Sequence, residues 1–401
     1  MSFGKPTLVV LTIALAISLR FVPKLRGYQF TAWIIAAVTT AMIYPARFLR
    51  VGNVDLRNPW LILFIVQLVM FGMGTQMSWR DLAGVAKSPR GVLVGIVCHF
   101  SVMPLVGLAL IKIFRFPPEI AAGVILIGSC SSGLASNVMA YIAKSNLALS
   151  VTVTAVTTML APVMTPLWMK WLAGTLVEVK FFKMMLEIIE IVLVPIGAAL
   201  LHDYLKQVSG RGKKIVFGAA IFGAAWLSFL AVGGWAILKD HFSAGALPAF
   251  SIFGFFLGAI VAGVVYHGLT RQFARLDQLM PVFSMFGIVY FTLVTTAAGR
   301  DNLLQIGALL FLVAALHNTA GYFFGYWLSR GAGLDINSAR SVAFEVGLQN
   351  GGMASGLAGA MGKLGTLGLA AAIFSPWMNV SGSVLANYWR KKPVADTGGP
   401  N

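Results

Sequence analysis

The run Glu345-Val346-Gly347-Leu348-Gln349-Asn350-Gly351-Gly352 sets an acid and two amides inside an otherwise apolar segment. An acid at bilayer depth costs about 2.5–3.5 kcal/mol on insertion scales, so Glu345 calls for a partner, and a bound cation is one candidate. The alternative is a helix end in headgroup water, with Arg340 just before it. A second apolar segment is interrupted by Gly128-Ser129-Cys130-Ser131-Ser132-Gly133. Glycine costs about 1 kcal/mol against alanine in a helix interior, so both runs predict loosened helix near mid-membrane. Unwound carbonyls can coordinate Na⁺, and half-helix N-termini can face an anion. Close packing through small residues would also account for the Gly and Ser, but not for Glu345, Gln349 and Asn350.

The other reactive residue types say less. Glu187 and Glu190 stand with Lys180 and Lys183 near the start of their segment, which reads as an interfacial helix end. Cys98 and Cys130 have no metal-ligand spacing and read as buried thiols. His202, His241 and His267 fall near segment ends, whereas His99 and His317 lie inside apolar segments. No Ser/His/Asp grouping, HExxH or phosphate-binding loop occurs, which points away from an enzyme.

The elements that must hold these residues are membrane helices. The 401 residues are 58% hydrophobic and 11% charged, too few charges to cover a water-facing surface. Apolar blocks near bilayer length must be helical, because lipid leaves no other partner for the backbone. Thirteen segments are expected: Thr7–Val22, Tyr28–Ala46, Pro59–Met77, Gly91–Phe114, Pro117–Ala143, Leu147–Leu172, Phe181–Leu201, Ile215–Leu238, Leu247–Leu269, Pro281–Ala298, Leu303–Leu328, Val342–Met361 and Leu364–Trp389. Thr7–Val22 has the length of a signal peptide, but Ser18-Leu19-Arg20-Phe21 is a poor cleavage site, so a retained helix is expected. Lys391–Asn401 reads as a disordered tail.

The net charge of +17 does not indicate nucleic acid, because the basic residues lie between apolar blocks rather than on one face. Loops carrying Arg80, Lys87 and Arg90, Lys206 to Lys214, Arg271 and Arg275, and Arg390 to Lys392 form one set. The positive-inside rule places that set, and the C-terminus, in the cytoplasm. Three consecutive segments recur in order. Cys98-His99-Phe100 pairs with Leu316-His317-Asn318, Ser132-Gly133-Leu134-Ala135-Ser136 with Gly351-Gly352-Met353-Ala354-Ser355, and Ala161-Pro162-Val163-Met164 with Ser375-Pro376-Trp377-Met378. An odd number of spans separates the copies, which predicts an inverted-topology repeat.

The runs Gly128 to Met139 and Glu345 to Asn350 resemble the bile acid:sodium symporter family, as do Met70-Phe71-Gly72-Met73-Gly74 and Asn379-Val380-Ser381-Gly382-Ser383. That resemblance implies an all-α integral membrane protein of two inverted five-helix repeats, a core and a panel, with crossing unwound helices at Pro117–Ala143 and Val342–Met361. This chain would add a helix over 1–27 and a hairpin over 207–278, between repeat portions at 28–206 and 279–390, with the tail at 391–401. One Na⁺ site would use Ser136, Asn137, Ser150, Thr154 and Glu345. Ser150 and Thr154 are four residues apart and so share a helix face. Without the resemblance, their back-bonding to the preceding turn is an equal reading. A second site would use Glu345, Gln349 and the carbonyls of Val346 and Leu348, with His99 where the family has a glutamine. The expectation is that His99 weakens that site or makes it pH-dependent, since Na⁺ favours oxygen. Leu134, Asn350 and Asn379 would face substrate. The implied function is Na⁺-coupled symport of an organic anion, bile-acid-like or a smaller carboxylate, by movement of core against panel. The implied location is a bacterial inner membrane. A non-transporting membrane receptor on the same fold is the competing reading.

Overall fold

The protein is described here by a computed structural model covering residues 4–22, 29–392 and 394. The tail expected over 391–401 lies largely, and Tyr28 at the expected start of the second span wholly, outside the described residues. The chain is almost entirely helical. It begins with α1 (Gly4–Ser18), α2 (Gln29–Ile43) and a two-residue hairpin of β1 (Arg50–Val51) and β2 (Val54–Asp55). Arg57 beside Asp55 holds that carboxyl down at about 2. Next come α3 (Pro59–Gly74), α4 (Trp79–Lys87), α5 (Pro89–Ile113), α6 (Pro118–Ser129), α7 (Ala135–Ile142) and α8 (Leu147–Ala173). Then α9 (Phe181–Ile188) and α10 (Val194–Gln207) run on through one π turn, whereas α11 (Arg211–Phe229) and α12 (Trp235–His241) join across a kink at Val232 and Gly233, where Gly233 takes φ +107°. The chain ends with α13 (Leu247–Gln272), α14 (Leu276–Ala298), α15 (Arg300–Gly331), α16 (Ile336–Gly347), α17 (Gly351–Ala360) and α18 (Leu369–Arg390). Eight of the described helices are long and apolar enough to cross a membrane by themselves. The expected helical, membrane-embedded fold is therefore observed.

Two differences from the sequence reading have local causes. Pro59–Met77 stops at Gly74, and the separate helix α4 follows because Ser78 and Asp81 form a reciprocal capping box at its start. The segment expected from Val342 begins at Ile336 instead, where the Asp335 carboxylate accepts from Ser338 N–H at 2.9 Å. Arg340 is therefore inside a helix and buried, not beside a helix end. Glu187 and Glu190 lie within the continuous Phe181–Gln207 helix and flank the start of its π turn.

Two packed groups position the site. Helices α2, α3, α10 and α14 contact one another, and α13 lies on α10. Helices α5, α6, α8, α15, α16 and α18 form the second group. Between them α17 packs on α3. Cβ atoms built on Gly356 and Gly359 would lie 2.4 Å from Val66 Cγ2 and 2.6 Å from Ile62 Cγ2, so only glycine admits that approach. The hairpin α11–α13 meets the first group through a polar knot. Asp277 accepts from Lys206 Nζ at 2.7 Å and Tyr266 Oη at 2.8 Å, with His202 Nε2 at 3.3 Å.

Candidate functional site

The site forms where two helices break. The α6–α7 helix is interrupted at Cys130–Leu134 and the α16–α17 helix at Leu348–Asn350. The breaks run antiparallel and bond to each other. Gly133 N–H donates to Leu348 O at 3.0 Å, and Asn350 N–H to Ser131 O at 2.8 Å. Each break thus supplies partners for backbone that lipid could not satisfy. The second break is narrower than the glycine run suggested. Glu345 is helical, and Gly351 and Gly352 open α17 rather than unwinding. Those two glycines serve close approach: a Cβ on Gly351 would lie 1.8 Å from Ser375 Oγ.

Glu345 is fully buried, and the side chains assembled around it come from two helices, α7 and α8. From α8, Ser150 Oγ lies 2.5 Å from Glu345 Oε1 and 2.9 Å from Asn137 Oδ1. One turn on, Thr154 Oγ1 lies 2.8 Å from Glu345 Oε2 and 3.2 Å from Asn137 Oδ1. From α7, Ser136 Oγ lies 3.2 Å from Thr154 Oγ1 and donates to Gly133 O at 2.8 Å. All five residues expected to meet do so. Ser150 and Thr154 face the carboxylate, so back-bonding is not their main engagement. The chemistry of this donor set is one-sided. Six side-chain oxygens share the three hydroxyl protons of Ser136, Ser150 and Thr154, one of which goes to a backbone carbonyl, and Ser132 Oγ, 3.4 Å from Ser136 Oγ, also lies 3.3 Å from Leu348 O. Ser150 touches two acceptors with a single proton. A hard monovalent cation is the partner that such an acceptor-rich cage fits.

The second expected cluster is differently arranged. Gln349 donates from Nε2 to Val346 O at 2.7 Å, and its Oε1, buried, has no partner. Leu348 O is engaged by Gly133 N–H and lies 3.3 Å from Ser132 Oγ. His99, expected to weaken that site or make it pH-dependent, is placed against backbone. Its Nδ1 lies 2.9 Å from Glu345 O and its Nε2 2.8 Å from Cys130 O, so both nitrogens are directed at backbone carbonyls. The ring ties the end of α6 to α16. Sequence reasoning did not assign Ser132, which links Ser136 to Leu348, or Asn318, whose Nδ2 donates to Gly347 O at 2.8 Å. Both lay in matched motifs, but only the fold shows what they touch.

A cavity of about 230 Å³ opens beside the crossing. Leu134, Asn350 and Asn379 all line it, joined by Gln76 just after α3, Ser284 from α14 and Phe30 at the start of α2. Among the described residues, none that lines it is charged. The N-terminal residues of α7 and α17 border it.

Two crossing broken helices, a buried carboxylate caged by oxygens and a cavity at their side define a membrane transporter of the broken-helix class. The comparisons narrow the class. Residues 62–239 match the Sodium Bile acid symporter family. The uncharacterized sodium-dependent transporter YocS of Bacillus subtilis (strain 168) is 31% identical over 93% of this chain and 94% of its own. The chloroplastic "Probable sodium/metabolite cotransporter BASS1" of Arabidopsis thaliana is 28% identical over 92% of this chain and 75% of its own. The chain belongs to the Sodium Bile acid symporter family, a family of sodium-dependent transporters. Among solved structures, the sodium proton antiporter MjNhaP1 of Methanocaldococcus jannaschii shares the fold, with a TM-score of 0.55, 11% identity and coverage of 97% of this chain and 98% of that one.

Proposed function

We propose that the chain couples Na⁺ entry to uptake of an organic anion. The observation that carries this reading is the fully buried Glu345 within a cage of more acceptors than protons. Na⁺ would be held by Ser136, Asn137, Ser150, Thr154 and Glu345. A second Na⁺ would use Glu345, Val346, Leu348 and Gln349, for which the orphaned Gln349 Oε1 is a ready ligand. His99 would support that site through its carbonyl contacts rather than ligate the ion. Sodium here is co-transported cargo, and its electrochemical gradient supplies about 2.3 kcal/mol per charge per 100 mV.

Leu134, Asn350 and Asn379 would contact the anion. With no basic side chain lining the cavity among the described residues, the positive ends of α7 and α17 would face its charge. The volume lies below the usual range for drug-sized ligands, roughly 300–1,000 Å³, which favours a smaller carboxylate over a bile-acid-sized body. The α2/α3/α10/α14 group would act as panel and the α5–α8, α15–α18 group as core, related as inverted repeats. Residues 207–278 would be an inserted hairpin and 1–27 an added helix. Basic loops would put the C-terminus and the cavity mouth in the cytoplasm of a bacterial cell, with the Ile62–Gly359 contact outside. The test is uptake into proteoliposomes from a panel of radiolabelled carboxylates under a Na⁺ gradient. Accumulation with Na⁺ but not K⁺, lost in Glu345→Gln, is expected. Na⁺-independent uptake, or unimpaired Glu345→Gln, refutes the reading.

A further inference from the structure

Away from this site, a groove of about 720 Å³ lies between α15 and α18. Its walls are almost wholly apolar, with Phe323, Trp327 and Val384 more than half exposed. Both helices cross the membrane, so this open groove faces lipid along its length. Its two ends differ. Where α15 and α18 terminate, Tyr326, Tyr388 and Trp389 close the groove, and cations gather behind them.

Arg340 is the unusual member. It is 7% exposed, its guanidinium carbon lies 5.6 Å from the Trp389 ring centre, and its Nη2 donates to Lys392 O at 2.9 Å. Among the described residues, its Nε has no partner. Lys392 Nζ donates to Tyr388 Oη at 2.6 Å and sits 4.5 Å over that ring. Arg330 ends α15 and donates to Leu334 O. Among the described residues, none of Arg330, Arg340, Arg390, Lys391 and Lys392 has a carboxylate at ion-pairing distance. A buried guanidinium without an acid is costly, and neighbouring rings only partly offset that. The C-termini of α15 and α18 contribute about half a negative charge each, too little to balance five cations.

We propose that this groove is a binding site for an anionic phospholipid of the adjoining leaflet. The acyl chains lie between Phe323, Trp327 and Val384. The phosphate sits at the basic end, balancing Arg340 and Lys392. Apolar exposure alone would accept any lipid; the charge at one end is what selects the headgroup.

The test is native mass spectrometry of the full chain, purified in mild detergent and offered equal phosphatidylglycerol and phosphatidylcholine with identical chains. One phosphatidylglycerol is expected to be retained, with about tenfold or more preference over phosphatidylcholine. Arg340→Gln combined with Lys392→Gln should bring the two lipids to parity. Because a change at buried Arg340 can unfold the chain, Val384→Trp provides an independent arm: it fills the groove from an exposed position and should lower retention of both lipids. Equal retention of the two lipids by the parent chain overturns the proposal, as does unchanged retention in Val384→Trp. Asp396→Asn should leave retention unaltered; a several-fold rise would mean that the chain's own C-terminal carboxylate occupies the basic end, and would also overturn it.

Discussion

Gly356→Ala places a methyl group in the contact between α17 and α3. The new Cβ would stand 2.4 Å from Val66 Cγ2. Carbon atoms rest comfortably at about 3.5–4.0 Å, so the helices must part locally by roughly 1 Å or more. Overpacking of this kind costs about 1–3 kcal/mol. The cost falls only on the conformation in which α17 lies on α3, the one described here, with the cavity open at the other end. If transport separates these surfaces, the same energy shifts the balance toward the opposite-facing state by about 5- to 150-fold. The helix-propensity gain from Gly to Ala, about 1 kcal/mol, applies to both states and cancels. The assay is labelling of an Ile62→Cys background by a membrane-impermeant maleimide from the outer face. Ile62 is 2% exposed, and the native Cys98 and Cys130 are buried and should label little. Labelling should rise at least several-fold in Gly356→Ala. Gly218→Ala, where an added Cβ meets nothing within 4 Å, should match the parent. Equal rates in Gly356→Ala and parent would refute the idea that this glycine contact is a seal that opens.

Three further outcomes follow from the geometry. Thr154→Val keeps the shape of α8 but removes an oxygen 2.8 Å from Glu345 Oε2; half-saturating Na⁺ for uptake should rise by about 10- to 150-fold, at 1.5–3 kcal/mol for a charged hydrogen bond. His99→Leu removes the one N–H that the neutral ring donates to a buried carbonyl, of Cys130 or of Glu345; thermal unfolding in detergent should show a loss of about 1–3 kcal/mol, equally with and without Na⁺, whereas a Na⁺-ligating role would confine the loss to Na⁺-containing buffer. Asp277→Asn weakens the knot joining the hairpin to α10 and α14; the melting temperature should fall while the Na⁺ concentration for half-maximal uptake stays as in the parent.

Much of the architecture was legible because the bilayer constrains the chain so severely. Apolar runs of bilayer length can only be helices, so the spans over Leu147–Leu172 and Leu247–Leu269 were read closely, against observed Leu147–Ala173 and Leu247–Gln272. An acid in such a run demands compensation, which singled out Glu345 before any contact was known. Where water and turns take over, the sequence constrains less: neither the β1–β2 hairpin nor the amphipathic α4 was anticipated. Glycine was the ambiguous letter. It signals equally a loosened helix and a close approach, and the run from Gly351 to Gly359 proved to be helical and packed against α3 and α18.

By itself, then, the sequence determined the membrane-embedded helices, their two polar interruptions and the residue types able to cage a cation. Only the tertiary structure decided that Ser150 and Thr154 face the carboxylate, that His99 spends both nitrogens on backbone carbonyls, and that α17 seals against α3. The physical reason is range. Hydropathy and helix period act within one segment, whereas a hydroxyl finds a carboxylate 191 or 195 positions away only once packing has fixed how the broken helices cross.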